Sequence, residues 1–345
     1  MTLASHPARP SAAPAPGTYR FEVGSAIEAV EVIRARLGEE ARVLSVSSKP
    51  RRGLSRLWGA PRFEVVAELP PPAPAPREPD PEPAAERLSP ALVDGSRLPA
   101  LLRRAGFPER LLGRLEMSPG WTRALSRPLH EALADLHRDL RAAARPPRPL
   151  PRRVAFFGSA GVGRTTALCK RLAHEVVGRG ASGRVWRVEF GRPNPAPMLD
   201  VFGEALGVPV EHYAPGFGAP GSGDGFLFAD LPAFAPRGTA EDAAMARFLD
   251  AEAFEGRVLV LNAAYEPDAL RAAYARGLDH GATHLVCTHL DETPRWGRLW
   301  EFLLEGELSP LFLGTGPGLT GEMSSDVLGA LLARTLPLRK EGFAS

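Results

Sequence analysis

The chain lacks the features that would cross-link it or anchor it. Only two of its 345 residues are cysteine, Cys169 and Cys287. They lie far apart in apolar surroundings, which excludes a disulfide framework and suits buried, inert thiols in a reducing cytoplasm. No run approaches the roughly 18 apolar residues of a membrane span. The opening MTLASHPARPSAAPAPG has no apolar signal-peptide core, so residues 1–17 are expected to form a disordered tail. An excess of one charge sign is missing as well. With 42 basic against 40 acidic residues the formal net charge is +2, and no global field points to nucleic acid or an anionic surface as the main partner. No spacing among the eight histidines resembles a metal site. What is present is 44% apolar content, enough for sizeable cores in two or three domains.

Composition divides the chain. Over 18–69 the order reads strand, helix, strand, strand (YRFEV, SAIEAVEVIRARLG, ARVLSVSS, RFEVVAEL). Ser25 with Glu28 forms a capping box and Gly38 closes the helix, so a small α/β module is expected. PPPAPAPREPDPEP then holds eight prolines and marks a semi-rigid linker over 70–87. Over 88–148 leucines recur at helical spacing, with turns at Gly106-Phe107-Pro108 and Ser118-Pro119-Gly120; a helical bundle domain is expected. Over 149–345 the apolar runs RVAFFG, VWRVEFG, GFLFAD, RVLVLNA, THLVCTHLD and PLFLGTG alternate with helical patterns. That alternation predicts an α/β domain with a parallel sheet covered on both faces, and ligands of such sheets bind at the carboxyl ends of the strands.

Two motifs stand at those ends. GSAGVGRTT, Gly158 to Thr166, follows the first strand of this domain and opens a helix. The glycines Gly158, Gly161 and Gly163 let backbone amides wrap phosphate oxygens, the helix N-terminus adds its dipole, and Thr165 is placed to ligate Mg2+. Arg164 stands where the lysine of G-x-x-x-x-G-K-[ST] is expected. It carries the same charge, but its longer planar fork does not thread the same loop by default. CTHLDET, Cys287 to Thr293, ends another apolar strand and resembles the T-K-x-D element of GTPases. One carboxylate, Asp291, can accept from both N1–H and the exocyclic amine of guanine, which adenine cannot match. Thr288 and His289 flank it, with His289 in the lysine position. Considered singly, a ligand-free turn and a helix-capping Asp also account for the two motifs.

In this order the motifs resemble the signal-recognition-particle GTPases, and in particular the flagellar-biosynthesis branch of that family. The resemblance covers the opening module, the helical region as an N domain, and 152 to about 336 as a P-loop G domain; LGVPVE and LDET are family-like details. It implies GTP or GDP with Mg2+ as ligands and Asp230 beside the metal. Arg192 matches an arginine that contacts phosphate, and Gly314, Thr315 and Gly316 belong to a closing loop near the base. A GTP-dependent homodimer across the bound nucleotides is also implied, together with a cytoplasmic role in placing flagellar components. Flagellar basal-body proteins or a regulatory ATPase are the further partners it suggests.

The departures bear on chemistry. Glu189 replaces an aspartate associated with magnesium and water, Met198 replaces a glutamine, and Asp230 is followed by Leu231-Pro232-Ala233 where the family has T-A-G. Hydrolysis needs placed water and neutralised charge, so the changes at Arg164, Glu189, Met198 and Leu231-Pro232-Ala233 predict weakened or lost turnover while binding survives; Arg164, Glu189, Arg192 and Asp230 are the candidate catalytic residues. Whether the protein is an enzyme, a possible GTPase, is left open. A nucleotide-independent scaffold and a P-loop ATPase or small-molecule kinase are the alternative readings. KPRRGLSRLWG, Lys49 to Gly59, sets basic residues beside Trp58 and could meet an anionic membrane face, or be an exposed loop.

Overall fold

The computed structural model describes residues 17–23, 32–33, 35–37, 42–48, 63–69, 95–191, 193–214 and 225–336. The expectations for 1–16, the Ser25–Glu28 capping box, Gly38, the 49–59 stretch, the linker over 70–87 and Arg192 lie outside these residues. Three strands come first: β1 (Gly17–Val23), β2 (Arg42–Ser48) and β3 (Phe63–Leu69). They form an antiparallel sheet in the order β1-β3-β2. Gly17, which the sequence places in the expected tail, pairs with Leu69. Phe21, Val23, Val65 and Ala67 are buried together with Ile33, Leu37 and Ala205.

Four helices follow: α1 (Leu98–Ala105), α2 (Glu109–Glu116), α3 (Trp121–Leu125) and α4 (Leu129–Ala143). Gly106 closes α1 at φ +92°, a conformation natural to glycine, and its amide donates back into the helix. The apolar stripe of α4 buries Ala132, Leu133, Leu136 and Leu140, residues at helical spacing.

The rest is a mixed α/β unit. Its sheet contains β4 (Arg153–Gly158), β5 (Gly183–Arg187), β6 (Val210–His212), β7 (Phe226–Asp230), β8 (Gly256–Asn262), β9 (His284–Thr288), β10 (Ser309–Gly314) and β11 (Met323–Ser324). The strand order is β11-β10-β9-β8-β4-β7-β5-β6, with every pairing parallel except the β10–β11 hairpin. β6 and β11 add to the six apolar runs visible in the sequence. At three and two residues they are too short to show a period, and each sits at a sheet edge.

β4 explains why the sheet is covered on both faces. Val154 and Phe156 join one apolar cluster, Ala155 and Phe157 the other, because successive strand residues point to opposite sides. Phe156 and Phe157 are fully buried, each contributing about 1.5–3 kcal/mol of apolar burial. The second cluster runs on into the helical unit through Leu98, Leu102, Leu112 and Trp121. Phe107 stacks on Trp300 at 6.2 Å between ring centres. The indole of Trp300 donates to the Thr335 hydroxyl at 3.0 Å, so the last described helix, Val327–Thr335, is tied to the same seam. Cys169 and Cys287 are unpaired and buried, and burial pushes the Cys287 thiol up to about 12. Among the described residues no helix is long and apolar enough to cross a membrane.

Candidate nucleotide site

The phosphate-loop sequence becomes a wrap of backbone between β4 and helix α5 (Arg164–Ala173). A Cβ on Gly158 would stand 2.5 Å from the Val260 carbonyl oxygen, so only glycine lets β4 pass β8 this closely. Gly161 and Gly163 have φ of +73° and +75°, the left-handed region that side chains disfavour. Gly163 caps α5 without a side chain on the first-turn amides, leaving that helix N-terminus as an anion-binding face. The loop is pinned from outside. The Thr288 hydroxyl lies 2.8 Å from the Val162 carbonyl, and the Tyr265 hydroxyl donates to the Ala160 carbonyl at 3.4 Å.

Asp230 ends β7, beside Phe156 of β4, and is fully buried. The Thr165 hydroxyl donates to its Oδ2 at 3.0 Å, while Oδ1 is buried with no hydrogen-bond partner. Burial lifts this carboxyl to about 6, against the opposing pull of the Arg164 charge. Arg164 Nη1 donates to the Leu231 carbonyl at 2.7 Å, so the guanidinium reaches across to the end of β7. Burial lowers its pKa and the Asp230 carboxylate raises it; the group stays charged at any physiological pH. One hydroxyl plus one carboxylate with a spare oxygen suits Mg2+, which is commonly held by one or two carboxylates together with substrate phosphates and waters. Thr165 and Asp230 therefore fit the ion when a phosphate is present to complete the shell. Among the described residues no group of three or more His, Cys, Asp or Glu side chains could hold a metal by itself.

The neighbouring loop is engaged with itself. Glu189 is exposed, and its Oε1 accepts from the Asn194 amide at 3.1 Å. Asn194, which is buried, donates through Nδ2 to the Asp230 carbonyl at 3.2 Å. The Glu189 carboxylate thus closes a turn. Met198 is 41% exposed.

On the other side of the loop, Gly163, Thr166, Lys170, Thr288, Asp291 and Gly314 line one cleft of about 170 Å3, with His289 and Gly316 on its wall. Asp291 is exposed there. His289 has φ +56°, and its ring packs so close to Gly163 that a Cβ on that glycine would meet His289 Cε1 at 3.3 Å. Lys170 is 4% exposed. Its ammonium donates to the carbonyls of Gly318, Gly321 and Glu322 at 2.5, 2.8 and 3.1 Å, fastening the loop after β10. Burial lowers the pKa of Lys170, while the Glu322 and Asp291 carboxylates raise it. The same loop folds on itself: the Thr315 amide donates to the Glu322 carbonyl at 2.8 Å. The Gly318 amide donates to Glu322 Oε2 at 2.7 Å.

The structure therefore gathers the residues singled out in the sequence into two neighbouring groups. Gly158, Gly161, Arg164, Thr165 and Asp230 gather around the glycine loop and the end of β7; Gly163, Thr166, Thr288, His289, Asp291, Gly314 and Gly316 line the adjoining cleft, continued by Thr315. Glu189 faces its own turn. Sequence reasoning passed over Lys170, Asn194 and Tyr265. Lys170 had a signal: it follows Thr166 by one helical turn and is a lone cation on the otherwise apolar face of ALCKRLA. The positions of Asn194 and Tyr265 depend on loop paths that no local pattern records.

A glycine loop opening a helix, an acidic strand end beside it and a cleft at the carboxyl ends of parallel strands define a P-loop α/β domain. More narrowly, the chain has the fold of the signal-recognition-particle-type GTPases. It is similar to FlhF complexed with GTP and Mg2+ (17% identity, 70% of this chain and 99% of that one, TM-score 0.54). It is likewise similar to FlhF complexed with GMPPNP and Mg2+ (17% identity, 69% and 98%, TM-score 0.55). Chloroplast FtsY from Physcomitrella patens matches at 18% identity, over 70% of this chain and 87% of that one, with TM-score 0.54. At these identities the likeness is one of fold. No protein-family model matches the chain.

Proposed function

We propose that this protein binds guanine nucleotides, GTP or GDP with Mg2+, between the Gly158–Thr166 loop and Asp291, and that it hydrolyses GTP slowly or not at all. The observation that carries the reading is the single cleft in which Asp291, Lys170, Thr288 and the phosphate-loop residues Gly163 and Thr166 meet. The Asp291 carboxylate accepts from the two adjacent guanine donors, and the loop amides receive the phosphates. Thr165 and Asp230 hold the ion, which draws charge from the phosphates. Catalysis asks for more: a cation on the transferring phosphate and a group that orients water. Arg164 bonds to the Leu231 carbonyl and Glu189 to the Asn194 amide. Loss of one preorganised donor costs on the order of a hundredfold in rate, so the combined effect is a slow enzyme or a binder.

FlhF solved with GTP and Mg2+ supports extending this reading to the cell. We place the protein in the cytoplasm, as a homodimer formed across its nucleotide faces, in the assembly or polar placement of flagella. Its contacts there would be with basal-body proteins or a regulatory ATPase, and 49–59 would touch the inner membrane face. The Arg164–Leu231 bond favours one second reading, a nucleotide-independent scaffold. Calorimetric titration with GMPPNP, GDP and an ATP analogue, on the wild type and Asp291→Asn, decides among these. Guanine-selective binding that falls on the order of a hundredfold in the variant supports the proposal. Equal affinity for the adenine analogue would indicate an ATPase or kinase, and no binding in a folded sample a scaffold.

A further inference from the structure

Resting on the guanine-nucleotide reading, we infer that the segment Leu231–Ala235 makes the site indifferent to the third phosphate, so that guanosine diphosphate and triphosphate are equivalent ligands. A segment that reports a γ-phosphate must offer it a backbone donor and must be free to move when the phosphate leaves. This segment leaves β7 directly beside the phosphate loop; it has few amides to offer, and it is not free to move.

Three of its five positions have no amide to offer. The Leu231 N–H donates to the Phe156 carbonyl at 3.1 Å, and the Phe234 N–H to the Gly158 carbonyl at 3.1 Å. Pro232 has no N–H. Only Ala233 and Ala235 are left as donors that a phosphate could use.

Its side chains are held as well. Leu231 is fully buried and Ala235 nearly so. The Phe234 ring stacks on His280 at 5.5 Å and meets Phe157 edge-on at 5.8 Å. The Arg276 guanidinium lies over the ring, 5.5 Å from its centre, and also donates to the Ala235 carbonyl at 3.2 Å. Arg276 is itself paired with Asp242. A further tie is the Arg164 donation to the Leu231 carbonyl, which links the phosphate-loop cation to this segment. Moving the segment onto a γ-phosphate would mean breaking two backbone bonds, the Phe234 ring contacts and the contacts of two arginines together. No donor at 231, 232 or 234 would be gained in return.

The consequence is specific. Loop amides and Asp291 contact parts that both nucleotides share, so occupancy of the site carries information about guanine nucleotide as such and not about its phosphate count. A dimer formed across the nucleotide faces would follow occupancy in the same way.

The test uses the full-length wild type with GDP and GMPPNP, each with Mg2+, read by calorimetry and by hydrogen–deuterium exchange over 231–235. The expected result is a pair of dissociation constants within about threefold of each other and the same slow exchange in both complexes. A Pro232→Gly variant, which restores an N–H and backbone freedom, is expected to bind GMPPNP more tightly than GDP. A wild-type preference for GMPPNP of about tenfold or more, or protection at 231–235 that appears only with GMPPNP, overturns the inference and leaves the guanine reading standing. Absence of binding by both nucleotides overturns the two together. The wild-type comparison decides the matter even if the variant does not fold.

Discussion

Asp230→Asn tests the electrostatics of the site most directly. The wild-type carboxyl is fully buried and sits at about 6 against an ordinary value of 3.8. The folded chain therefore holds this proton more tightly than the unfolded chain. At about 1.4 kcal/mol for each pKa unit the difference is about 3 kcal/mol. Stability from this group is complete below about pH 4 and is lost as pH rises through about 6. The asparagine keeps an oxygen for the Thr165 hydroxyl and places a neutral amide where Oδ1 has no partner. In nucleotide-free and metal-free protein, the variant's unfolding free energy should thus match wild type near pH 4 and exceed it by about 2–3 kcal/mol at pH 8. Urea denaturation followed by tryptophan fluorescence across this range measures the gap. A gap that stays flat, or that widens towards low pH, would refute the assignment of a proton-favouring site to Asp230. The same substitution should weaken binding of the Mg2+–nucleotide complex, because the ion needs the ionised carboxylate.

Lys170→Met keeps the buried stem and removes the ammonium from three carbonyls. It is expected to cost about 2–3 kcal/mol of stability and to weaken GDP binding; a loss below about 0.5 kcal/mol in urea would mean that the loop after β10 holds without it. Gly158→Ala sets a methyl 2.5 Å from the Val260 carbonyl oxygen, so strand spacing must give way at a cost of about 1–3 kcal/mol; an unchanged melting temperature would contradict the close β4–β8 approach. Trp300→Phe leaves the Thr335 hydroxyl without its indole donor and is expected to cost about 1–2 kcal/mol, read as a lower denaturation midpoint in which the helical unit and the sheet unfold together.

Much of the architecture is legible without coordinates, for a reason that Val154 to Gly158 makes plain. A strand buried on both faces has to be apolar throughout, and the following GSAGVGRTT has to be glycine-rich because the backbone turns left-handed twice before a helix. Such requirements are local, so they are written in adjacent letters. The α/β class, the P-loop and the candidate guanine-reading Asp291 follow from them. β6 and β11 were out of reach, since two or three residues show no period and pair only because a neighbouring strand is already in place.

The direction taken by Arg164 is a tertiary matter. Sequence states its charge and its length, but the carbonyl it meets belongs to Leu231, 67 residues away. Glu189 likewise reads as a displaced catalytic acid until its turn is seen to close on the Asn194 amide. Lys170 stands out in the sequence as a cation on an apolar helix face, but its partners, three carbonyls of the loop after β10, are supplied only by the tertiary structure. The sequence by itself determined the layers of the fold and the kinds of group set at the strand ends. The tertiary structure alone decided which of those groups are already bonded to the protein and which are left for a ligand, because hydrogen-bond partners are assigned by proximity in space and the chain brings them from distant segments.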